Sequence, residues 1–289
     1  YSENPSSDMI TNIYIGGEFS QSVNFNNSIS LTSSGGTYTY DGFVAKYNYY
    51  GNCQWANKVY GSQSEEVNSL TLDNNGNIYA AGTFNSPTAY INENITLLNS
   101  GDLDVFIAKY DNFGGAQWFT KISSINGDKT YIIDFDGSEH LYIGGSYFGA
   151  SVEFNNGISL TNSGSEDAFF AKYDLTGQCQ WAEKTTGTSD ELVYSVKVKD
   201  LNTIYIGGYF RNQPVTFNNG ISLTNSGNHD AFLAEYNSSG ECQWAEKIAG
   251  TAQEWVRSID YSQNGIYLGG SFESTLLNFN NDISLTYST

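Results

Sequence analysis

Short stretches in which apolar and polar residues alternate run along the whole chain and are separated by turn residues. From residue 190 onward they read ELVYSVKVKD, IYIGGYF, DAFLAEY and CQWAEKI. Alternation with a period of two is typical of half-buried β-strands, and short turns between such strands favour antiparallel pairing. The pattern therefore predicts a four-stranded antiparallel meander.

A further phrase lies between the second and third predicted strands. It reads VTFNNGISLTNSG and is echoed as VEFNNGISLTNSG, VNFNNSISLTSSG and LNFNNDISLT. Asn-Asn-Gly flanked by alternating apolar residues is a signal for a tight hairpin. Each unit is therefore predicted to carry an extra two-stranded hairpin, which we call the flap.

One sequence motif of 15 residues occurs four times in the chain. DAFFAKYDLTGQCQW at residues 167 to 181 has variants at residues 41 to 55, 104 to 118 and 230 to 244. The tryptophans follow one another at intervals of 63 residues, and a second landmark containing a tyrosine occurs five times: Trp55, Trp118, Trp181 and Trp244; Tyr14, Tyr79, Tyr142, Tyr205 and Tyr267. We expect four full units and a partial fifth, at approximately 1–60, 61–123, 124–186, 187–249 and 250–289.

A single sheet with apolar residues on both faces cannot bury itself and must stack on its neighbours. Radial stacking of four-stranded sheets produces a β-propeller. A linear β-solenoid is the competing arrangement, but its coils are short and uniform, whereas this unit has four distinguishable strands. The fold expected for residues 1–289 is all-β: a single β-propeller domain or a fragment of one.

Composition and charge limit the kinds of partner that the chain is expected to bind. The chain has 22 Tyr, 17 Phe and 5 Trp, which suit pleated, half-buried surfaces. Its formal net charge of -19 repels phosphate backbones and anionic lipid surfaces. No apolar run approaches the roughly 18 residues of a membrane span. Nucleic-acid binding and membrane insertion are therefore not expected.

The stretch from DGFVAKYNYYGNCQW to NIYAAGTF resembles the SBBP repeat, a β-propeller repeat of secreted and surface proteins. Matching pieces cover nearly the whole chain, with departures at Glu235, at Ala80 and Ala81, and in KVKDLNTIY. The resemblance implies a propeller and an extracellular or cell-surface location. It implies no common reaction, because a fold does not dictate a function.

Acidic residues in the turn after the tryptophan strand are the candidate binding residues: Glu65, Glu66, Asp128, Asp190, Glu191 and Glu254. Repetition would place them on one face of the ring, where carboxylates could hold calcium or, with nearby aromatic residues such as Trp255, a sugar. The alternative is a solvated polar rim. No cofactor is expected, calcium being the one ion that such carboxylates could bind.

Other repeated polar residues have structural interpretations. The aspartates at the start of the third strand are expected to cap backbone N–H groups, and the cysteines to be small core residues without disulfides: Asp41, Asp104, Asp167 and Asp230; Cys53, Cys179 and Cys242. His140 and His229 are expected to face solvent. Three glycosylation triplets begin at Asn26, Asn94 and Asn237.

No combination of a nucleophile and a base stands out, so the chain is not expected to be an enzyme. The predicted function is a structural or adhesive repeat protein, secreted or at the cell surface. The fifth unit stops after its flap, so either further repeats lie outside this segment or something else completes the half-sheet. The hypothesis is self-association in which a neighbouring subunit completes it by strand addition, giving a filament or surface layer. The alternative is a lectin-like or calcium-dependent module that binds a surface glycan or protein.

Overall fold

The computed structural model describes residues 12–36, 38–279 and 283–286 of the chain. Within these ranges the regular structure consists of β-strands and a single 3-10 turn at Asn218–Gly220. The prediction of an all-β protein is confirmed.

Five sheets follow one another along the chain, and we number them I to V. Sheet I contains β1 (Ile13–Phe19), β4 (Asp41–Tyr47) and β5 (Cys53–Val59); sheet II contains β6 (Glu65–Leu72), β7 (Ile78–Phe84), β10 (Asp104–Tyr110) and β11 (Ala116–Ile122). Sheet III contains β12 (Asp128–Phe135), β13 (His140–Tyr147), β16 (Asp167–Asp174) and β17 (Cys179–Lys184); sheet IV contains β18 (Glu191–Asp200), β19 (Thr203–Arg211), β22 (His229–Tyr236) and β23 (Cys242–Ile248). Sheet V contains β24 (Glu254–Ser262) and β25 (Gly265–Phe272).

A two-stranded flap accompanies each sheet, as the sequence predicted. The flaps are β2 (Ser22–Asn24) with β3 (Ser30–Thr32), β8 (Thr88–Tyr90) with β9 (Thr96–Leu98), β14 (Ser151–Glu153) with β15 (Ser159–Thr161), β20 (Val215–Thr216) with β21 (Ser222–Leu223), and β26 (Leu276–Asn278) with β27 (Ser284–Thr286). In sheets II to IV the four strands pair antiparallel in chain order, and the flap leaves between the second and the third. The predicted meander is therefore confirmed.

The first strands of sheets II to V lie beside one another, and we call them the inner strands: β6, β12, β18 and β24. Side chains bond them across the sheet boundaries. Ser69 Oγ accepts from Ile133 N at 3.2 Å, Asp134 Oδ2 from Val198 N at 2.8 Å, and Ser195 Oγ from Ile259 N at 3.0 Å. The sheets are thus stacked side by side around a common inner wall, as in a propeller-type repeat.

Apolar side chains fill the space between consecutive sheets. A phenylalanine from the third strand packs edge-on against a flap phenylalanine: Phe43 on Phe25, Phe169 on Phe154 and Phe232 on Phe217, with ring centroids 5.1 to 5.6 Å apart. The glycine pair of the second strand makes room for this ring, because a Cβ on Gly208 would lie 3.2 Å from Phe232. Each flap therefore closes over the third strand of its own unit.

An asparagine in three of the flaps ties the flap to the turn between the third and fourth strands. Asn155 Oδ1 accepts from Cys179 N at 2.7 Å, and Asn26 and Asn218 make the same bond to Cys53 and Cys242. The three cysteines are buried and free, as predicted. They fill the core beneath this asparagine bond.

Candidate functional site

Four of the six predicted acidic residues lie at the start of an inner strand and are buried between sheets: Glu65, Asp128, Glu191 and Glu254. Glu66 is exposed, and Asp190 is half-buried in an ion pair with Arg211 at 2.9 Å. The structure therefore does not gather the six on one open face. No group of three metal-ligating side chains occurs among the residues that the structure describes.

The aspartates that begin the third strands are also fully buried. Asp167 Oδ2 accepts from Ser163 N at 2.8 Å and lies 3.0 Å from Lys184 Nζ, and the same lysine and serine contacts recur at Asp104 and its equivalents. The predicted capping role is confirmed. The lysine also donates to flap carbonyls, for example from Lys121 to Leu98 at 2.7 Å, so this set of contacts fastens the returning flap to the sheet.

Each buried acid of an inner strand needs its own partner, and three of them have a serine. Ser86 N donates to Glu65, Ser124 N and Oγ donate to Asp128, and Ser274 Oγ donates to Glu254. Glu191 has Gly187 and Asn212 at the positions that hold these serines in the other units, and both of its carboxylate oxygens are buried without a hydrogen-bond partner in the described residues.

Burial has the expected electrostatic effect on these carboxyl groups. Desolvation raises the pKa of Glu65 and of Asp128 to about 7, against the hydrogen bonds from serine that lower it. Desolvation, with repulsion from Asp167 and Asp190, raises the pKa of Glu191 to about 9. Glu191 therefore favours the protonated form at neutral pH, whereas Glu65 and Asp128 titrate close to it.

A tryptophan and a lysine from each sheet hold the next sheet. Trp118 Nε1 donates to Leu175 O at 3.2 Å and Lys109 Nζ donates to the same carbonyl at 3.3 Å. Equivalent pairs hold the following turn on either side: Trp55 and Lys46 on Asn112 O, and Trp181 and Lys172 on Ser238 O. These lysines thus bind a backbone carbonyl of the next sheet.

The hydrogen bond from Trp118 to Leu175 is expected to stabilise the folded protein. Trp118→Phe keeps an aromatic ring against Gly177 but removes the N–H that reaches Leu175, leaving a part-buried carbonyl with one donor fewer. We expect the free energy of unfolding to fall by about 1 kcal/mol, measured by urea denaturation. Trp244→Phe is the matched control, because no third or fourth strand of a following sheet lies beside it within the described residues. An equal loss in both variants would contradict this role of the hydrogen bond.

The two histidines and the asparagines of the three glycosylation triplets differ in their exposure and contacts. His140 Nδ1 lies 2.9 Å from Asp136 Oδ2, and His229 is half-buried among aromatic rings, so neither simply faces solvent. Asn94 is exposed. The side chains of Asn26 and Asn237 are already engaged in turns, with Cys53 N and with Ser239 N and Glu241 N.

The edge of β25 is unpaired in the described residues. In sheets I to IV the second strand pairs with a third strand in one register, for example Tyr205 opposite Glu235 and Phe210 opposite Asp230. Tyr205 itself is 4% exposed, whereas the equivalent Tyr267 in β25 is 55% exposed. One edge of β25 therefore has no partner strand among the described residues.

Beside this edge lies an apolar cavity of about 170 Å³ between sheets IV and V. Its lining includes Val256, Gly270, Leu277 and Phe279. The equivalent positions in sheet IV, which include Gly208 and Phe217, surround Phe232. The cavity thus corresponds to the space that a third-strand phenylalanine fills in a complete unit.

Sequence reasoning missed a second cluster, at the bulges of the inner strands. The register of each inner strand shifts by one residue, which extrudes Asn68, Tyr131, Tyr194 and Arg257. Two of these residues belong to a closed ring of contacts that runs through Tyr194, Tyr209, His229, Trp255 and Arg257 and back to Tyr194, and Tyr131 packs against Tyr194. We call these six residues the mouth cluster. A comparison of equivalent positions would have pointed to it, because aromatic or cationic residues occur at three of the four extruded positions: Tyr131, Tyr194 and Arg257.

Comparison with known proteins agrees with a propeller-type repeat. The chain is 26% identical over 233 residues to an uncharacterised WD repeat-containing protein of Acanthamoeba polyphaga mimivirus, which covers 68% of this chain and 17% of that protein. The chain thus spans under a fifth of the length of this relative. No protein-family model matches the chain, so the SBBP resemblance stays a prediction. Together with the sheet pattern, the similarity supports a β-propeller-type repeat protein.

Among the described residues, no helix has the length and apolar character that a membrane crossing requires.

Proposed function

We propose that this chain belongs to a non-enzymatic, extracellular or cell-surface repeat protein with a structural and adhesive role. In this proposal the 63-residue unit is one propeller blade, and units associate by strand addition. Repeated contacts support it, because sheets I to III each bind the turn of the next sheet through an equivalent tryptophan and lysine. Such contacts suit a scaffold that carries load rather than one that moves.

Two features of sheet V support the proposal of strand addition. Its strand β25 pairs with β24 in the register that the complete sheets use, and Tyr267 on this strand is exposed. The cavity beside Gly270 and Phe279 has the apolar lining that receives a phenylalanine in sheet IV. Backbone hydrogen bonds would supply affinity and this seat would supply specificity, as in strand addition to a sheet edge.

A peptide of residues 230 to 248, DAFLAEYNSSGECQWAEKI, tests this directly. It contains a third and a fourth strand of the repeat. We expect saturable binding to the chain by isothermal titration calorimetry, with a negative heat-capacity change, because the apolar seat is filled.

The matched control is the same peptide with Phe232→Ala. Truncation of a phenylalanine that fills an apolar seat costs several kcal/mol in a core, about 3 to 5, so affinity is expected to fall at least about tenfold. Equal binding of both peptides, or no binding of either to a chain shown to be folded, would reject strand addition at this edge.

A lectin-like function is the second candidate, and the mouth cluster favours it. It concerns another surface of the molecule, formed by the inner strands β12, β18 and β24 together with Tyr209 of β19 and His229 of β22. The two functions are compatible, since an adhesive scaffold both assembles and binds.

A further inference from the structure

We propose that the mouth cluster is a binding site for a neutral saccharide. The proposal does not depend on strand addition, because none of the six residues belongs to β25 or to the cavity of sheet V apart from Trp255 at its margin. It rests on ring geometry, on polar groups beside the rings, and on the variation among repeats.

The rings contact one another in a chain across sheets III to V. Centroid distances are 4.7 Å for Tyr131 and Tyr194, 5.8 Å for Tyr194 and Tyr209, and 4.8 Å for Tyr209 and His229. Trp255 follows His229 at 5.7 Å, and the Arg257 guanidinium lies 5.5 Å from Trp255 and 4.7 Å from Tyr194. Tyr131, Tyr194 and Trp255 are half-buried and Arg257 is exposed, so the surface is open to a ligand.

Polar groups lie next to this surface. Glu166 is buried and accepts from Ser146 Oγ at 2.6 Å, and its charge acts on Tyr131 and Tyr209. Two buried nitrogen atoms, His229 Nδ1 and Arg211 Nε, have no hydrogen-bond partner in the described residues. Buried polar atoms normally have a partner, so a ligand or water that accepts hydrogen bonds is expected beside them.

The extruded positions give each sheet its own side chain on this surface. They hold Asn68, Tyr131, Tyr194 and Arg257, whereas the tryptophan and aspartate positions of the scaffold are the same in all four units. A ligand that contacts several sheets at once would meet a different group on each.

The chemistry favours a neutral saccharide. A formal charge of -19 disfavours anionic ligands, and Arg257 already occupies the cation position over two rings. What remains available is aromatic surface bordered by planar hydrogen-bonding groups. Sugars have both an apolar C–H face and a rim of hydroxyls, and therefore match this surface.

Calorimetric titration with cellohexaose, chitohexaose and mannohexaose tests the site. We expect at least one of the three to bind, and Trp255→Ala to weaken that binding at least about tenfold. Arg257→Lys keeps the charge but removes the planar group, and we expect a smaller loss with an unchanged melting temperature. Tyr50→Ala is the control, since this tyrosine is 72% exposed and lies in a turn of sheet I.

Failure of all three hexasaccharides to bind the folded chain would overturn the proposal, and so would equal binding by Trp255→Ala. Binding that Tyr50→Ala weakens as much as Trp255→Ala would also overturn it. The peptide of residues 230 to 248 binds in a separate experiment, so failure here leaves strand addition standing, and failure there leaves this site standing.

Discussion

Replacing Glu191 with glutamine is expected to stabilise the protein at pH 8 and to leave its stability nearly unchanged at pH 5. Glu191 is fully buried, and its carboxylate oxygens have no partner in the described residues, unlike the serine-bonded acids of the other inner strands. Burial raises its pKa to about 9. Glutamine resembles the protonated acid, so Glu191→Gln should gain about 2 kcal/mol or more at pH 8.

The sign of the pH dependence follows from the raised pKa. A carboxyl whose folded pKa lies above its unfolded value of 4.5 contributes stability fully below that value, and loses it as the pH rises toward about 9. Glu65 and Asp128, with pKa values of about 7, add to the loss between pH 5 and 8. The wild-type protein is therefore expected to melt at a higher temperature at pH 5 than at pH 8.

Glu66→Gln is the matched control, because this exposed neighbour of Glu65 carries the same charge on an inner strand. Thermal unfolding at both pH values measures the effect. Destabilisation by Glu191→Gln at pH 8 would contradict the account, since it would mean that the ionised carboxylate has a partner in the folded protein.

Substituting Gly208 with alanine is expected to reduce the free energy of unfolding by about 3 kcal/mol. A Cβ at this position would lie 1.8 Å from the backbone oxygen of Leu192 and 3.2 Å from the ring of Phe232. Leu192 belongs to β18, the strand paired with β19, so relief of the clash requires the two strands to move apart. The effect is measured by urea denaturation.

Gly269→Ala is the control for this effect. The equivalent glycine in sheet IV, Gly207, would place a Cβ 2.6 Å from Val256 of the next sheet, whereas the nearest atom to a Cβ on Gly269 is 3.8 Å away. We expect Gly269→Ala to change stability by no more than about 0.5 kcal/mol. Equal destabilisation by the two variants would mean that crowding by neighbouring strands does not explain the glycine pairs.

The strands and their order could be predicted from the sequence because alternation and turn residues are local signals. The strand DAFLAEY was predicted as the third strand of its unit, and β22 (His229–Tyr236) contains it. The flap could likewise be predicted, since Asn-Asn-Gly between apolar residues specifies a tight turn. Because the four-stranded unit is repeated along the chain, consecutive sheets could also be predicted to stack on one another.

Contacts between sheets could not be predicted in the same way. The pattern shows that Glu65 begins a strand, but not that the start of an inner strand is covered by the preceding sheet, so a surface role was expected for a buried acid. Similarly, Lys109 binds a carbonyl 66 residues away. The mouth cluster depends on a bulge in each inner strand, and alternation alone does not reveal where a register shifts.

The most direct test of strand addition at sheet V is a register-specific disulfide between the chain and the peptide of residues 230 to 248, with Cys242→Ala in the peptide. In sheet IV, Tyr209 faces Ala231 and Tyr205 faces Glu235; the equivalents in β25 are Ser271 and Tyr267. Two matched pairs follow: Ser271→Cys with Ala231→Cys, and Tyr267→Cys with Glu235→Cys.

If a strand adds to β25 in this register, both matched pairs form a disulfide under mild oxidation and the two exchanged pairs do not, as read by mass spectrometry of the joined species. Directly opposed residues on paired strands are close enough for the bond, whereas the exchanged positions are four residues apart along the strand. Equal yields from matched and exchanged pairs, or none from any, would contradict strand addition in the register of the complete sheets.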